Sequence, residues 1–515
     1  MQKPLPRPVA AALATALAGS LAACSFEPPL RVPQAPADKT PYTAGISPKE
    51  TVAPGGPSGH AQEIAYGKDL HEEWWKLFHS KALDELIAAG LKNSPSVAQA
   101  QAQLKQAEAT ARANASIFYP QVTGNLQANR SKSSSAAFGG SGGFHYSLIT
   151  GSVGVSYYPD IFGVNRLVYR NSEALVKYQQ WELEAARLTL TGNIVTISIS
   201  EAAAEGQIRA TRAIVAQEQQ LLDLTENQYK AGAVGYLNVV TQRSQLASEM
   251  ATLPPLEQQL AVYRHELAIL VGAFPGDARR QSFTLTELQL PEKLPVSLPS
   301  QLLKQRPDIR AALAQMRAAN AVIGEARAQF YPTVQLSAAF GDTASHPGLF
   351  FNPASSIWSL VGALSQPIFE GGKLEAQKAE AHAAYDVVYA AYRSTVLSAF
   401  DQVANALRAV EHDAQTLAAQ REALQAAAQA LQLAQASYRA GASDYLTLLT
   451  SEVQYDNARI AEIKAESQRY QDTAALLVAL GGGWWNKKEP QAHTTSAPQN
   501  SHSDAGTLPV TQANP

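Results

Sequence analysis

Tyr229-Lys-Ala-Gly232-Ala-Val-Gly235-Tyr-Leu-Asn238 recurs near the far end of the chain as Tyr438-Arg-Ala-Gly441-Ala-Ser-Asp444-Tyr-Leu-Thr447. Thr241 then matches Thr450. In each copy a long stretch without proline precedes the motif, and an Ala- and Leu-rich stretch follows it. A chain that reverses between two helices needs a position with φ > 0, which glycine supplies at least cost. Each copy therefore reads as the tip of a helical hairpin, turning at Gly232, Gly235 and Gly441. Tyr119-Pro120 returns as Tyr331-Pro332 at almost the same displacement. Two landmarks of different chemistry, in one order and about 210 residues apart, define a duplicated unit.

Outward from the tips, 165–230 and 373–439 each read as one helix of about 65 residues, ~100 Å long. Helices at 236–271 and 445–480 return from the tips, with Pro254-Pro255 predicted to kink or restart the first. Upstream lie strand hairpins at 121–158 and 333–366. In the first, Val153, Val155 and Tyr157 alternate with Ser152, Gly154 and Ser156, and a Ser/Gly loop at 131–143 forms the tip. In the second, Val334, Leu336, Ala338 and Phe340 share a face. A helix over 83–118, capped or kinked at Asn93-Ser94-Pro95, opens the first unit, and 307–330 opens the second. The units span 63–275 and 301–485, joined by a linker at 276–300. The two short helices of a unit sum to roughly the length of the long one, so laid end to end they form a continuous wall beside it.

Strands of this length cross a bilayer when tilted, and in hydrocarbon every backbone group needs a partner, so such strands close into a barrel. Four strands are too few for one chain. A dimer supplies eight, too narrow for an open channel; a trimer supplies twelve. The competing reading is a soluble helical bundle with four strands, which a helix pair ~100 Å long does not suit.

The ends give the address. Lys3 and Arg7 precede a short apolar run that stops at Leu21-Ala-Ala-Cys24, and Cys24 is the only cysteine in 515 residues. Residues 1–23 are read as a lipoprotein signal peptide, with a diacylglycerol and an N-acyl lipid on Cys24 and no other cofactor. A single thiol excludes an intrachain disulfide and a cysteine metal cluster. Similar lipoproteins are held at the inner membrane by an Asp after the Cys; Ser25 sends this one to the outer membrane. Residues 24–62 carry eight prolines from Pro28 to Pro57 and read as an extended tether rather than a packed domain. The polar tail 486–515 is expected to be disordered. A net charge of −3, and more negative once Lys3 and Arg7 are removed, argues against a nucleic-acid partner.

Other motifs name a family. They are Trp74-Trp75-Lys-Leu-Phe78, Leu83-Asp-Glu-Leu-Ile87, Leu298-Pro-Ser-Gln-Leu-Leu303 with Arg306-Pro-Asp-Ile309, Phe330-Tyr-Pro332, Gln366-Pro-Ile-Phe-Glu-Gly-Gly372, and Leu480-Gly-Gly-Gly-Trp484. Over about residues 63–485 the chain resembles the TolC-like outer-membrane factors of tripartite efflux pumps, in their NodT-like lipoprotein subgroup. The resemblance implies an α+β membrane protein: a homotrimer with a twelve-stranded outer-membrane β-barrel that continues into a long periplasmic α-helical barrel with an equatorial belt. It further implies a periplasmic adaptor and an inner-membrane, proton-driven RND-type pump as partners, with Gly232, Gly235 and Gly441 at adaptor-docking tips. Where the family carries carboxylates that ring the closed mouth, this chain has Asn238, Thr447 and Thr450. Asp444 is the nearest acid and stands either in a displaced ring or as a helix cap. Tyr229 and Tyr438 are retained, to bond across the turns.

An envelope hydrolase is the second class. Its ten histidines are scattered, no nucleophile motif is present, and Glu380-Ala-His382 and Glu411-His412 read as solvated helix faces. A structural coiled-coil envelope lipoprotein is the third, disfavoured by the barrel-length strands. Three methionines, at 1, 250 and 316, argue against dedicated copper handling. The cargo is not legible.

Overall fold

The computed structural model describes residues 26–38, 40–45, 48–56, 58–134, 142–276 and 284–486. The leader, Cys24, Ser25 and the tail from 487 lie outside the described residues, as do 135–141 of the hairpin tip and 277–283 of the linker.

The first unit begins with strand β1 (Glu63–Tyr66), a 3-10 turn (Trp74–Phe78), and helices α1 (Lys81–Asn93) and α2 (Pro95–Ala115). Ser94 breaks the two helices with extended backbone (φ −62°, ψ 128°), and Pro95 opens α2, as Asn-Ser-Pro predicts. Then come β2 (Gln121–Ser134), β3 (Gly143–Tyr157), α3 (Val164–Lys230) and α4 (Tyr236–Leu270). The linker carries β4 (Lys293–Val296) and leads through α5 (Pro299–Gln305) into the second unit, which has α6 (Pro307–Ala328), β5 (Thr333–Ala344), β6 (Ser356–Ser365), α7 (Lys373–Arg439) and α8 (Tyr445–Ala479). The two long helices are 67 residues each.

The short helices do stack end to end. Gly272, at φ +74°, closes α4 so near the start of α2 that a Cβ would stand 2.4 Å from the Asn93 carbonyl oxygen. In the second unit Arg306 Nη1 donates to the Ala479 carbonyl at 2.8 Å, which joins the end of α8 to the start of α6. The packing order is α2/α4, then α3, then α6/α8, then α7. The sheet runs in the same sequence, β2-β3-β5-β6, antiparallel throughout. Each strand adjoins the helix next to it in the chain, so the sheet and the helix wall follow the same neighbour order.

Three expectations are corrected. The Pro254-Pro255 pair does not restart its helix: α4 runs unbroken from 236 to 270 with both prolines inside. The carbonyls they leave free, of Met250 and Ala251, lie on an exposed stretch where water can satisfy them. The strand ladder also runs further into the Ser/Gly loop than composition suggests, pairing Ser134 with Gly143.

The third concerns the proline-rich tether. It is extended, but it is a strap laid on the helices. Phe26 packs on Tyr331 at 4.5 Å between ring centroids, and Glu27 pairs with Arg170 at 2.6 Å. Tyr385 and Arg408, both on α7, then donate to the carbonyls of Arg31 (2.9 Å) and Ala44 (2.8 Å), and Arg421 donates to that of Gly55. From Tyr385 to Arg421 is ~54 Å of helix. A reversal at Gly55–Gly59 leads into β1, which pairs in parallel with β4 of the linker. This two-stranded sheet buries Ile64, Leu294 and Val296 against Val403, Leu407, Val410 and Leu476 at mid-length. The neighbouring equatorial core holds Trp74, Phe78, Ile87, Ile194 and Tyr470.

Candidate functional site

Among the described residues both faces of the four-stranded sheet are largely exposed, apart from places such as Gly151, over which Phe350 lies. Register places Val122, Leu126, Val153, Val155, Leu336, Phe340, Trp358, Leu360 and Leu364 on one side. Leu126 is 80% exposed and Trp358 78%. The opposite side carries Thr123, Asn125, Gln127, Ser152, Ser156, Gln335 and Ser337. A mainly apolar, largely exposed face beside a mainly polar one, with Ile357 and Val361 as apolar exceptions, is the pattern of a sheet between lipid and a watery lumen. Among the described residues, β2 and β6 each have one side without a strand partner. Aromatic rings gather where sheet meets helices, with Tyr331 stacked on Phe162 at 5.4 Å and Phe118 edge-on to Tyr169 at 5.8 Å, the setting in which rings mark a membrane boundary. Phe26, two residues beyond Cys24, sits against this cluster. Among the described residues no helix is long and apolar enough to cross a membrane.

At the opposite end the two tips are built alike. Gly232 (φ +74°) and Gly441 (φ +70°) are left-handed. At the first tip Gly232 N donates to Tyr229 O (2.9 Å) and Ala233 N to Gln228 O (2.8 Å); at the second, Gly441 N donates to Tyr438 O (3.0 Å) and Ala442 N to Ser437 O (2.9 Å). Both are Schellman closures. Lys230 and Arg439 close the long helices with positive charge, which suits their carbonyl ends. Gly235 differs from expectation: it is extended (φ −76°, ψ 155°) and serves as the N-cap of α4.

Asp444 occupies the equivalent place and is a helix cap. Its Oδ1 accepts from Thr447 N at 2.9 Å and from Thr447 Oγ1 at 2.6 Å. These bonds hold its carboxyl below the usual range. Thr450 donates back to the Leu446 carbonyl at 2.8 Å. The Asn238 amide N–H bonds Gly235 O at 3.1 Å. Tyr438 does bond across the units, its hydroxyl donating to Gln228 Oε1 at 3.0 Å. Tyr229 makes a ring contact with Tyr236 at 5.4 Å, matched by Tyr438 with Tyr445 at 6.1 Å.

The structure adds a group that the motifs did not reveal. One to three turns above the tips, Tyr445 donates to Gln242, and Gln242 donates to Glu218. Glu249, Glu452 and Asp456 complete a cluster between α3, α4 and α8. Burial raises all four carboxyls, with Glu452 pushed up to about 8 and Asp456 to about 7. The available signal is a mismatch between the repeats: Glu218 and Glu249 fall opposite Ala427 and Ala458, and Glu452 and Asp456 opposite Arg243 and Ala247.

With the geometry in place, the chain can be set beside known proteins. A family model described as outer membrane efflux protein matches residues 86–273 and 298–482. The chain is 30% identical to the pyoverdine export outer membrane protein OpmQ of Pseudomonas putida, over 86% of this chain and 94% of that one. To nodulation protein T of Rhizobium leguminosarum bv. viciae it is 28% identical, over 88% and 94%. The solved outer-membrane channel OprN superposes with a TM-score of 0.80 at 27% identity, covering 90% of this chain and all of that one.

Proposed function

The chain belongs to the outer membrane efflux protein family, and on that premise we propose that it works as a three-fold assembly whose lumen is a passive exit duct. It is an outer-membrane channel for efflux with a large periplasmic portion. One observation carries the further step. Among the described residues the sheet and the helix wall are both open and end at the same two edges, β2 with α2/α4 and β6 with α7. The edge helices expose Leu237, Val262 and Ile269 on one side and Val387, Leu397 and Leu433 on the other. Joining β6 to β2 of the next copy satisfies both backbones, and three copies give twelve strands around the polar face.

In this reading the lipid on Cys24 enters the inner leaflet beside Phe26 and Tyr331, and the strap carries the chain from there to the equator. The tips at Gly232 and Gly441 meet a periplasmic adaptor, and an inner-membrane pump supplies the energy. The duct conducts small solutes that the pump delivers, with no catalysis and no resident cofactor. The test is the purified full-length protein in detergent and in a planar bilayer. A heat-sensitive trimer that conducts ions is expected; a monomer that leaves the bilayer sealed overturns the proposal.

A further inference from the structure

We propose that the carboxyl cluster above the tips is a proton-operated latch, which holds the second-unit hairpin against the first in acid and releases it as the surroundings become alkaline. This rests on the reading of the tips as the duct's periplasmic mouth, and it goes beyond it.

The geometry is that of a joint between hairpins. Glu218 stands on α3, Gln242 and Glu249 on α4, and Tyr445, Glu452 and Asp456 on α8. Glu218 is 3% exposed, Gln242 fully buried, Tyr445 7% and Asp456 8%. The chain of bonds from Tyr445 through Gln242 to Glu218 crosses from one hairpin to the other. Gln242 also donates to the Glu218 backbone carbonyl at 3.3 Å. Glu452 Oε2 is buried without a hydrogen-bond partner among the described residues. A carboxyl in that position is tolerable when protonated and costly when charged.

The groups facing the cluster do not compensate. From α3 comes Glu218, and from α4 Glu249. From α7 come Gln435, which bonds Glu452, and Tyr438. From α8 itself come Tyr445, Asp456 and one cation, Arg459, which acts on Asp456. Arg243 of α4 is engaged by Glu226 at 2.9 Å. Among the described residues one guanidinium thus stands among four acids, and it acts on Asp456 alone.

The sign follows. Apart, the acids have ordinary carboxylate values; docked, they are raised, so the docked state binds more protons. Docking is strongest where the acids are neutral in both states. It weakens as pH climbs from the ordinary carboxylate range to about 8, where Glu452 ionises even when docked, and is level above that. The Asp444 cap has the opposite shift and faces none of these groups, so it does not counteract the trend.

The test places nitroxides at Ala233→Cys and Ala442→Cys, one on each tip, in the full-length protein. Its one other cysteine, Cys24, is acylated. Labelled protein is diluted with unlabelled protein, so the separation of the hairpins is read within one chain, whatever the oligomeric state. Pulsed electron resonance from pH 5.5 to 8.5 is expected to show the separation lengthening through pH 6–8 and then holding. A Glu452→Gln, Asp456→Asn double variant is expected to keep the acid-side separation throughout. An unchanged separation in the parent protein across that range overturns the latch, as does a double variant that moves like the parent.

Discussion

Replacing Arg469 by Met tests whether the proline-rich segment is a strap or a free tether. Arg469 is 1% exposed on α8. Its guanidinium donates to the carbonyls of Ser58 and His60, both at 2.8 Å, and reaches Thr51 Oγ1 at 3.4 Å. Burial lowers its pKa to about 10, so it remains a cation at neutral pH. A charge-assisted bond contributes roughly 1.5–3 kcal/mol, so losing the two short ones removes about 3–6 kcal/mol of local attachment. Relief of a buried charge next to Arg421 offsets part of this, leaving about 3 kcal/mol. The population of chains with the strap lifted around residues 51–60 then rises about 100-fold. Trypsin cleavage after Lys49, which is exposed beside the anchored stretch, reports that population when opening is fast relative to cutting. Cutting of Arg469→Met within twofold of the parent rate, or cutting of the parent as fast as an unstructured peptide, refutes an anchored strap.

Three further outcomes are expected. Cys24→Ser leaves an uncleaved precursor, and labelled palmitate on that variant sinks the lipid assignment. Gly441→Pro forbids φ +70° and removes the N–H that bonds Tyr438 O, so efflux is lost while trimers persist; normal drug resistance in cells carrying it contradicts a docking role for the tip, whereas Gly441→Ala costs only ~1 kcal/mol because nothing lies within 4 Å of the new Cβ. Millimolar divalent cations block single channels weakly, since Asp444 is spent on Thr447, and Thr447→Asp with Thr450→Asp introduces block; strong block in the parent that Asp444→Asn abolishes shows that a carboxylate ring survives at the cap position.

Much of this architecture is readable because the chain repeats itself. Helix–turn–helix reversals advertise their glycine, and two copies of Tyr-x-Ala-Gly fix both tips and the spans between them. Strand alternation such as Val153-Gly-Val155 is likewise local and survives in the structure. What escaped depends on distant partners. Proline content describes how the strap is built but not what it lies on, and its ties to Arg408, Arg421 and Arg469 come from residues hundreds of positions away. The β1–β4 pair was missed because four-residue strands carry too little pattern. At the tips, Asp444 left two readings open, since a capping acid and a ring acid look the same until Thr447 is seen to satisfy it. The carboxyl cluster was hidden for the opposite reason: it exists only where the repeats differ, so a reading built on their likeness passes over it.

The two open edges have a genetic consequence. In the proposed three-fold assembly no single chain holds the pore, because lumen, lipid-facing band and mouth each arise where edges of separate copies meet. A subunit that folds and joins but carries a defective tip therefore enters otherwise sound assemblies. With equal amounts of both forms and random three-fold mixing, only about one assembly in eight is free of the defect. Tip variants such as Gly441→Pro should thus be dominant in a cell that still makes the normal protein. Variants that cannot close the β6–β2 seam never join an assembly and should be recessive.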